Sequence, residues 1–239
     1  MDRTDTELLG EFCHGSQAAL ASLIRRHIDL VYAIALRRTG DPGLSDDVTQ
    51  AVFIILMQKA RALRRHKTVA GWLCVTTQNV ARAANRARAR RRQHEMAAAK
   101  PEGITMNSEQ AACSEVGEML DDLLRRLRAG DRDAVALRYL EGLSLSEVGC
   151  VLGISEEAAG KRVRRALERL RRCLMRQGVE IGAGGIGSAI GAVASLRAPA
   201  GTVAAATAIT SAQRSKSAIG LTTEVLRMMA LRKFGIAAA

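Results

Sequence analysis

Aromatic side chains are scarce, with one Trp, two Tyr and three Phe making up 3% of 239 residues. Rows of stacked bases, as on OB-folds and RNA-recognition sheets, have little material here, and helices suit the composition better. Cysteine is present but never paired. Cys13, Cys74, Cys113, Cys150 and Cys173 are odd in number, far apart and form no C-x-x-C, which speaks against a disulfide framework or a zinc site and fits reduced thiols of a cytoplasmic protein. His14, His27, His66 and His94 are equally scattered, with no His-Cys or His-carboxylate grouping at ligand spacing. No metal, cofactor or small-molecule substrate is expected. The opening MDRTDTELLG is polar and acidic, unlike a signal peptide.

Lys and Arg exceed Asp and Glu by twelve, giving a pI near 10.4, a balance suited to a polyanion such as nucleic acid or to an anionic membrane surface. Nearly half of the chain, 48%, is hydrophobic, enough to build cores. Between residues 5 and 176 Val, Ile and Leu recur at helical spacing, interrupted by proline only at Pro42 and Pro101, so the predicted fold is all-α. Ser16 can cap a helix reaching about Thr39, with Leu20, Leu23, Ile24, Ile28, Val31 and Ala35 as its apolar stripe. Gly40-Asp41-Pro42-Gly43 breaks it, and Ser45 can cap the next helix, which ends near Arg64. A third helix starts near Val69 and runs through RARARRRQ to Ala97–Ala99.

Composition divides the chain into 5–97, a linker at 98–117 containing Pro101 and Gly103, a four-helix segment at 118–177, and a Gly, Ala, Ser and Thr-rich extension at 178–239. Between Ile181 and Gln213 the extension's only charge is Arg197. It is too weakly apolar for a clear membrane span and reads as small-residue helices packed on the preceding domains. Thr223–Lys233 reads as an amphipathic helix with Val225, Met228 and Met229 on one side. The last residues, Phe-Gly-Ile-Ala-Ala-Ala, resemble the start of an apolar run, so membrane association is an expectation if the natural chain continues.

Ser144-Leu145-Ser146-Glu147 is a capping box opening a short helix that ends at Gly153. Ile154 follows, and Ser155 can cap a second helix. Short helix, glycine turn and capped helix make a helix-turn-helix. In the second helix Ala159, Val163, Ala166, Leu167 and Leu170 form the inner face, and Glu156, Glu157, Lys161, Arg162, Arg164 and Arg165 lie mainly elsewhere. A duplex would use that distribution, with the first turns at base edges and the basic flank at phosphates. A solvated basic helix in a bundle is the plainer alternative.

In the amino-terminal part, Ala51–Met57 is seven consecutive apolar residues, so either this helix is central in its bundle or part of it, beside Asp46, Asp47 and Gln50, docks a partner protein. In the third helix Trp72, Leu73, Thr76 and Val80 share one face, and Gln78, Asn79, Arg82 and Arg86 another. Trp72 reads as core. A basic loop of Arg61, Arg64, Arg65, His66 and Lys67 precedes it.

SDDVTQAVFIILMQKARAL and VAGWLCVTTQNVARAANRARARRR resemble region 2 of sigma-70 family factors of the extracytoplasmic-function group, and LDDLLRRL, DRDAVALRYLEGLSLSEVGCVLGIS and RVRRALERLR resemble its region 4, together spanning about residues 7–176. The resemblance implies a non-enzymatic subunit that directs core RNA polymerase to promoter DNA. It implies docking on the β′ clamp helices by Asp46, Asp47, Gln50 and Phe53, with region 4 at the β flap. Arg64, Arg65, His66, Lys67, Asn79, Arg82 and Arg86 would hold the melted minus-10 element, and Ser155, Glu156, Glu157, Ala158, Lys161, Arg162, Arg164 and Arg165 would read the minus-35 duplex. An anti-sigma factor or a cis-acting extension are the regulators it suggests. The sequence departs from the pattern at Arg128-Ala129, where relatives usually have proline, at Gly149-Cys150, where a bulkier apolar-Ala pair is usual, and at Ala158-Ala159-Gly160, which suggests fewer direct base contacts. A stand-alone helix-turn-helix regulator, a recombinase and a membrane-surface adaptor are rival readings. The first lacks any use for the amino-terminal motifs. The second lacks a nucleophile among arginines, since Tyr32 and Tyr139 sit in apolar patterns.

Overall fold

The computed structural model describes residues 3–98, 119, 122–177, 185–193, 197–208 and 218–226, and all regular structure among them is helical. The expected linker falls almost wholly outside these residues, as do Met228 and Met229.

Helix α1 (Asp5–Cys13) starts at a Thr4/Glu7 capping box, a T-x-x-E signal present in the sequence beside the better-marked caps. Helix α2 (Gln17–Thr39) is capped by Ser16, which accepts from the Ala19 amide at 3.3 Å, and ends on left-handed Gly40 at φ 61°. Its whole predicted stripe is buried. Helix α3 (Pro42–Leu63) begins four residues before the expected start. Asp41, not Ser45, is its cap, because Pro42 at the first helical position is preset for the helix and the Asp41 carboxylate accepts from Leu44 N–H at 3.0 Å. Ser45 instead lies buried inside the helix and bonds back to the Asp41 carbonyl at 2.7 Å. Helix α4 (Ala70–Ala98) completes this bundle.

The second unit comprises a helical stretch at 122–126, helix α5 (Ala129–Val135) continuing into a π-helical turn at Ala136–Leu140, helix α6 (Leu145–Leu152) and helix α7 (Glu156–Met175). Helices α8 (Gly185–Val193) and α9 (Ala200–Thr207) and a helical stretch at 218–226 belong to the extension.

Two apolar clusters hold the molecule. The first joins α1 to α4 and takes in Ala206, Ala218, Leu221 and Val225 of the extension. The second joins 123–174 with Leu30 and Ile34 of α2, Ala70 and Cys74 of α4, and Ile186 and Ile190 of α8. The two units therefore share core residues instead of hanging loosely from each other, and the small-residue helices pack on both. Glycine makes one of these contacts close, since any side chain at Gly187 would meet the Tyr139 ring, 2.7 Å from a Cβ placed there. No helix among the described residues is long and apolar enough to cross a membrane.

Candidate nucleic-acid interface

The helix-turn-helix forms as its caps dictate. Ser144 Oγ accepts from Glu147 N–H at 3.2 Å while the Glu147 carboxylate accepts from Ser144 N–H at 2.7 Å, and Ser155 Oγ accepts from Ala158 N–H at 3.2 Å. Each such cap contributes about 1 kcal/mol. Gly153 turns the chain at φ 60°, a conformation that costs an L-residue about 1–2 kcal/mol. Gly149 serves packing: a Cβ there would stand 2.8 Å from the Ile154 carbonyl oxygen and 3.2 Å from Glu156 N, so the missing side chain lets the turn close over α6. One departure from the family pattern thus has a steric reason.

Ala159, Val163, Ala166, Leu170 and Leu174 bury the inner face of α7, with Leu167 partly buried. Ser155, Glu156, Glu157, Lys161, Arg164 and Arg165 are exposed, and Ala158 and Arg162 half-buried. Lys161 pairs with Glu157 at 2.6 Å one turn back. Arg165, Arg169, Arg172 and Arg176 follow at intervals of four, three and four, so they form one stripe. With Arg128, Asp131 and Cys173 they line a cleft of about 460 Å³. The residues expected at DNA end at Arg165, although the same spacing points on to Arg176.

Arg64, Arg65, His66 and Lys67 are all exposed in the loop between α3 and α4. Thr6 donates to the His66 carbonyl at 2.9 Å, and the Lys67 side chain lies against Gly153 of the helix-turn-helix. Loop and turn are thus adjacent. On α4, Asn79 and Arg82 are half-buried and Arg86 is exposed. Gln78, expected on the same polar face, is instead fully buried, and neither side-chain amide atom has a hydrogen-bond partner. The reason is that α4 is flanked by α2 and α3 on one side and by α5 and its π turn on another.

Asp46 is exposed, Asp47 half-buried and Gln50 9% exposed, whereas Phe53 is fully buried in the first cluster. The apolar run Ala51–Leu56 is buried throughout, so α3 is the central helix of its bundle and Phe53 belongs to its core. Against the Asp46 face lies α9. Thr202 donates to Asp46 Oδ1 at 2.5 Å, and Gly201, Ala205 and Ala206 line a small cleft with Asp46, Asp47 and Gln50.

Between the units stands a buried charge cluster that no motif announced. His27 is fully buried, with Nδ1 2.7 Å from Glu141 and Nε2 3.1 Å from Asp5. Asp5 also accepts from Arg26, from Thr68 Oγ1 and from Val69 N–H. Burial alone would lower the His27 pKa, but the charges and hydrogen bonds of Glu141 and Asp5 prevail and raise it to about 10, so both ring nitrogens donate at neutral pH. Burial likewise opposes ionisation of Asp5, and His27, Val69 N–H and Arg26 overcome it to hold the carboxyl far below its usual range. The π turn delivers Glu141 to this cluster, its N–H bonding Ala136 O five residues back at 3.0 Å. Asp133, packed against Gly71, goes the other way: burial pushes it up to about 6 despite Arg132, His66 and Arg162.

The sigma-70 region 2 family model matches residues 23–92 and the region 4 model residues 117–170. Over 165 residues the chain is 30% identical to the RNA polymerase sigma factor CarQ of Myxococcus xanthus, covering 68% of this chain and 93% of that one. The chain belongs to the extracytoplasmic-function group of the sigma-70 family. This sigma factor is also 33% identical over 176 residues to the extracytoplasmic-function sigma factor SigE of Mycolicibacterium smegmatis, covering 70% of this chain and 66% of that one. The solved structure of CnrH in complex with the cytosolic domain of CnrY aligns with 73% of this sigma factor and 99% of that chain, at 23% identity and a TM-score of 0.36. Helix α1, which supplies Asp5 to the buried cluster, and the extension lie outside both matched regions of the sigma factor.

Proposed function

We propose that this sigma factor docks on the β′ clamp helices of core RNA polymerase through Asp46, Asp47 and Gln50, with region 4 at the β flap. It directs the enzyme to promoters by holding the melted minus-10 strand with Arg64–Lys67, Asn79, Arg82 and Arg86 and the minus-35 duplex with Ser155–Arg165. Residues 5–97 and 118–177 are the two working domains, 98–117 their linker and 178–239 a regulatory extension. RNA synthesis itself belongs to the core enzyme, and the setting is the cytoplasm.

The observation that carries this reading is the doubly capped helix-turn-helix, whose exposed cationic flank sits beside the basic loop of the first domain. Run-off transcription with purified core polymerase tests it. Arg162→Ala with Arg165→Ala should remove dependence on a minus-35 element while core binding persists, and loss of core binding instead would contradict the division of roles. A stand-alone regulator would bind duplex tightly without core enzyme and give no run-off product.

The Thr202–Asp46 hydrogen bond favours the extension over a separate anti-sigma factor as the regulator, since α9 rests where the clamp helices would dock. Deleting residues 178–239 should raise affinity for core polymerase; unchanged affinity and transcription would remove the extension from the mechanism.

A further inference from the structure

The far half of α7 carries more positive charge than contacts within the chain account for. Arg165, Arg169, Arg172 and Arg176 line one side of the cleft of about 460 Å³, and Arg128, which precedes α5, joins them from another element. All five are exposed. The cleft's one carboxylate, Asp131, is spent on Arg165, whose Nη2 donates to it at 2.5 Å. Among the described residues no carboxylate pairs with Arg128, Arg169, Arg172 or Arg176, and Arg172 Nε reaches only the Glu168 carbonyl of its own helix at 3.5 Å. Five guanidiniums against one carboxylate leave the cleft with four formal positive charges.

The negative end of the α7 dipole would explain Arg172 and Arg176, since cations are favoured in the last turn of a helix. It explains neither Arg169, more than a turn earlier, nor Arg128, which is outside that helix. Like charges gathered round a hollow repel one another, and an anion seated among them removes that cost. Guanidinium is the group best suited to phosphate, being always charged and presenting a planar fork to paired oxygens. From Arg165 to Arg176 the row runs roughly 16 Å along α7, so it suits an elongated anion better than a single tetrahedral one.

We infer that this cleft is a binding site for a run of linked phosphoryl groups, as in inorganic polyphosphate or the tail of a nucleoside triphosphate, held by Arg128, Arg169, Arg172 and Arg176. Duplex DNA is the competing anion. A recognition helix meets DNA with its amino-terminal turns, whereas this row occupies the opposite end of α7 and borders a hollow. Arg165, assigned to DNA above and engaged by Asp131, is not among the groups on which the inference rests.

The test is calorimetric titration of the full chain, without polymerase or divalent cations and at about 0.15 M salt, with tripolyphosphate, adenosine triphosphate and sulfate. Tripolyphosphate should saturate one site and raise the melting temperature, as a ligand of the folded state must, while sulfate should not saturate. Arg169→Gln and Arg172→Gln should each weaken tripolyphosphate roughly tenfold, the loss of one charge-assisted hydrogen bond. Arg169→Gln, Arg172→Gln, Arg176→Gln together should abolish saturation. The control Arg25→Gln, Arg61→Gln, Arg171→Gln removes the same charge from exposed arginines outside the cleft, one of them on α7, and should change affinity by less than about threefold. Tighter binding of the nucleotide than of tripolyphosphate identifies a nucleotide as the source, and equal affinity identifies the bare phosphate chain. No saturation by either, equal losses in cleft variant and control, or sulfate binding as tightly as tripolyphosphate overturns the inference. Anisotropy of a labelled duplex supplies the last arm: cleft variant and control should bind it alike, and a loss in the cleft variant as large as that for tripolyphosphate would make the row a DNA backbone surface and overturn the assignment.

Discussion

Replacing His27 by Gln should loosen the joint between the two domains and abolish a specific alkaline sensitivity. The imidazolium donates to Asp5 and Glu141 from a fully buried position, so the substitution would leave two carboxylates facing each other across a neutral amide, with Arg26 still paired to Asp5. Breaking a buried ion pair costs about 3–5 kcal/mol. The pKa displacement, from 6.5 to about 10, gives a similar figure, on the order of 4 to 5 kcal/mol at about 1.36 kcal/mol per unit. Because the folded value is raised, the contribution is complete below pH 6.5 and drains away as pH rises through 10. Asp5 is depressed, so its share is present above its ordinary 3.8 and disappears only in acid. Asp133, raised to about 6, favours the folded state as pH falls towards 3.8 and is ionised above neutrality, leaving the alkaline limb to His27. Urea denaturation at intervals from pH 7 to about 9.5 should show wild type losing up to about 1.36 kcal/mol per pH unit while His27→Gln, less stable at pH 7, stays nearly flat. Parallel slopes for the two proteins would refute the placement of a charged histidine in this joint.

Gly149→Ala should destabilise the second domain by about 1–3 kcal/mol, since its methyl group meets the Ile154 carbonyl and the backbone of Glu156, and thermal melting would register it. Ser144→Ala removes half of a capping box and should cost about 0.5–2 kcal/mol, measurable in the same melts, with minus-35 binding weakened only through the unfolded fraction. Ala206→Arg places a charge where 1% of the side chain is exposed, so α9 should lift from α3. Titration of core polymerase would then show tighter binding than wild type, and equal binding would free the docking face from α9.

Local signals were legible wherever a residue's partner lies within a few positions. Ser16, Ser144, Glu147, Gly153 and Ser155 each do what their neighbours require, and so the helix-turn-helix could be drawn from the chain alone. The one cap misplaced, Ser45 for Asp41, came from weighing a good capping residue over a proline that fixes the first helical turn. What could not be read depends on the second domain folding back on the first. Gln78 has the polarity of a surface residue, and only the packing of α5 and its π turn beside α4 explains how so polar a side chain comes to be enclosed. His27 gave no sign at all, because its two carboxylates lie 22 and 114 residues away and one of them arrives on a π turn that periodicity does not encode.

The same asymmetry bears on function. Residues proposed above to meet polymerase and promoter are engaged by long-range contacts within the chain: α9 on Asp46, Asp122 on Arg82, Asp131 on Arg165. A chain selected only to bind DNA and polymerase would gain nothing from burying an imidazolium between its domains at a desolvation cost of several kcal/mol. A chain whose resting form must stay closed until core enzyme and promoter together overcome its internal contacts has a use for it. The joint around His27 contributes to closure without occupying any residue assigned to DNA or polymerase. Loosening it should therefore raise affinity for both partners together, where Ala206→Arg should raise affinity for polymerase alone. Measured side by side, a His27→Gln chain that stays folded yet gains for neither partner would show that the closed form is not what restrains them.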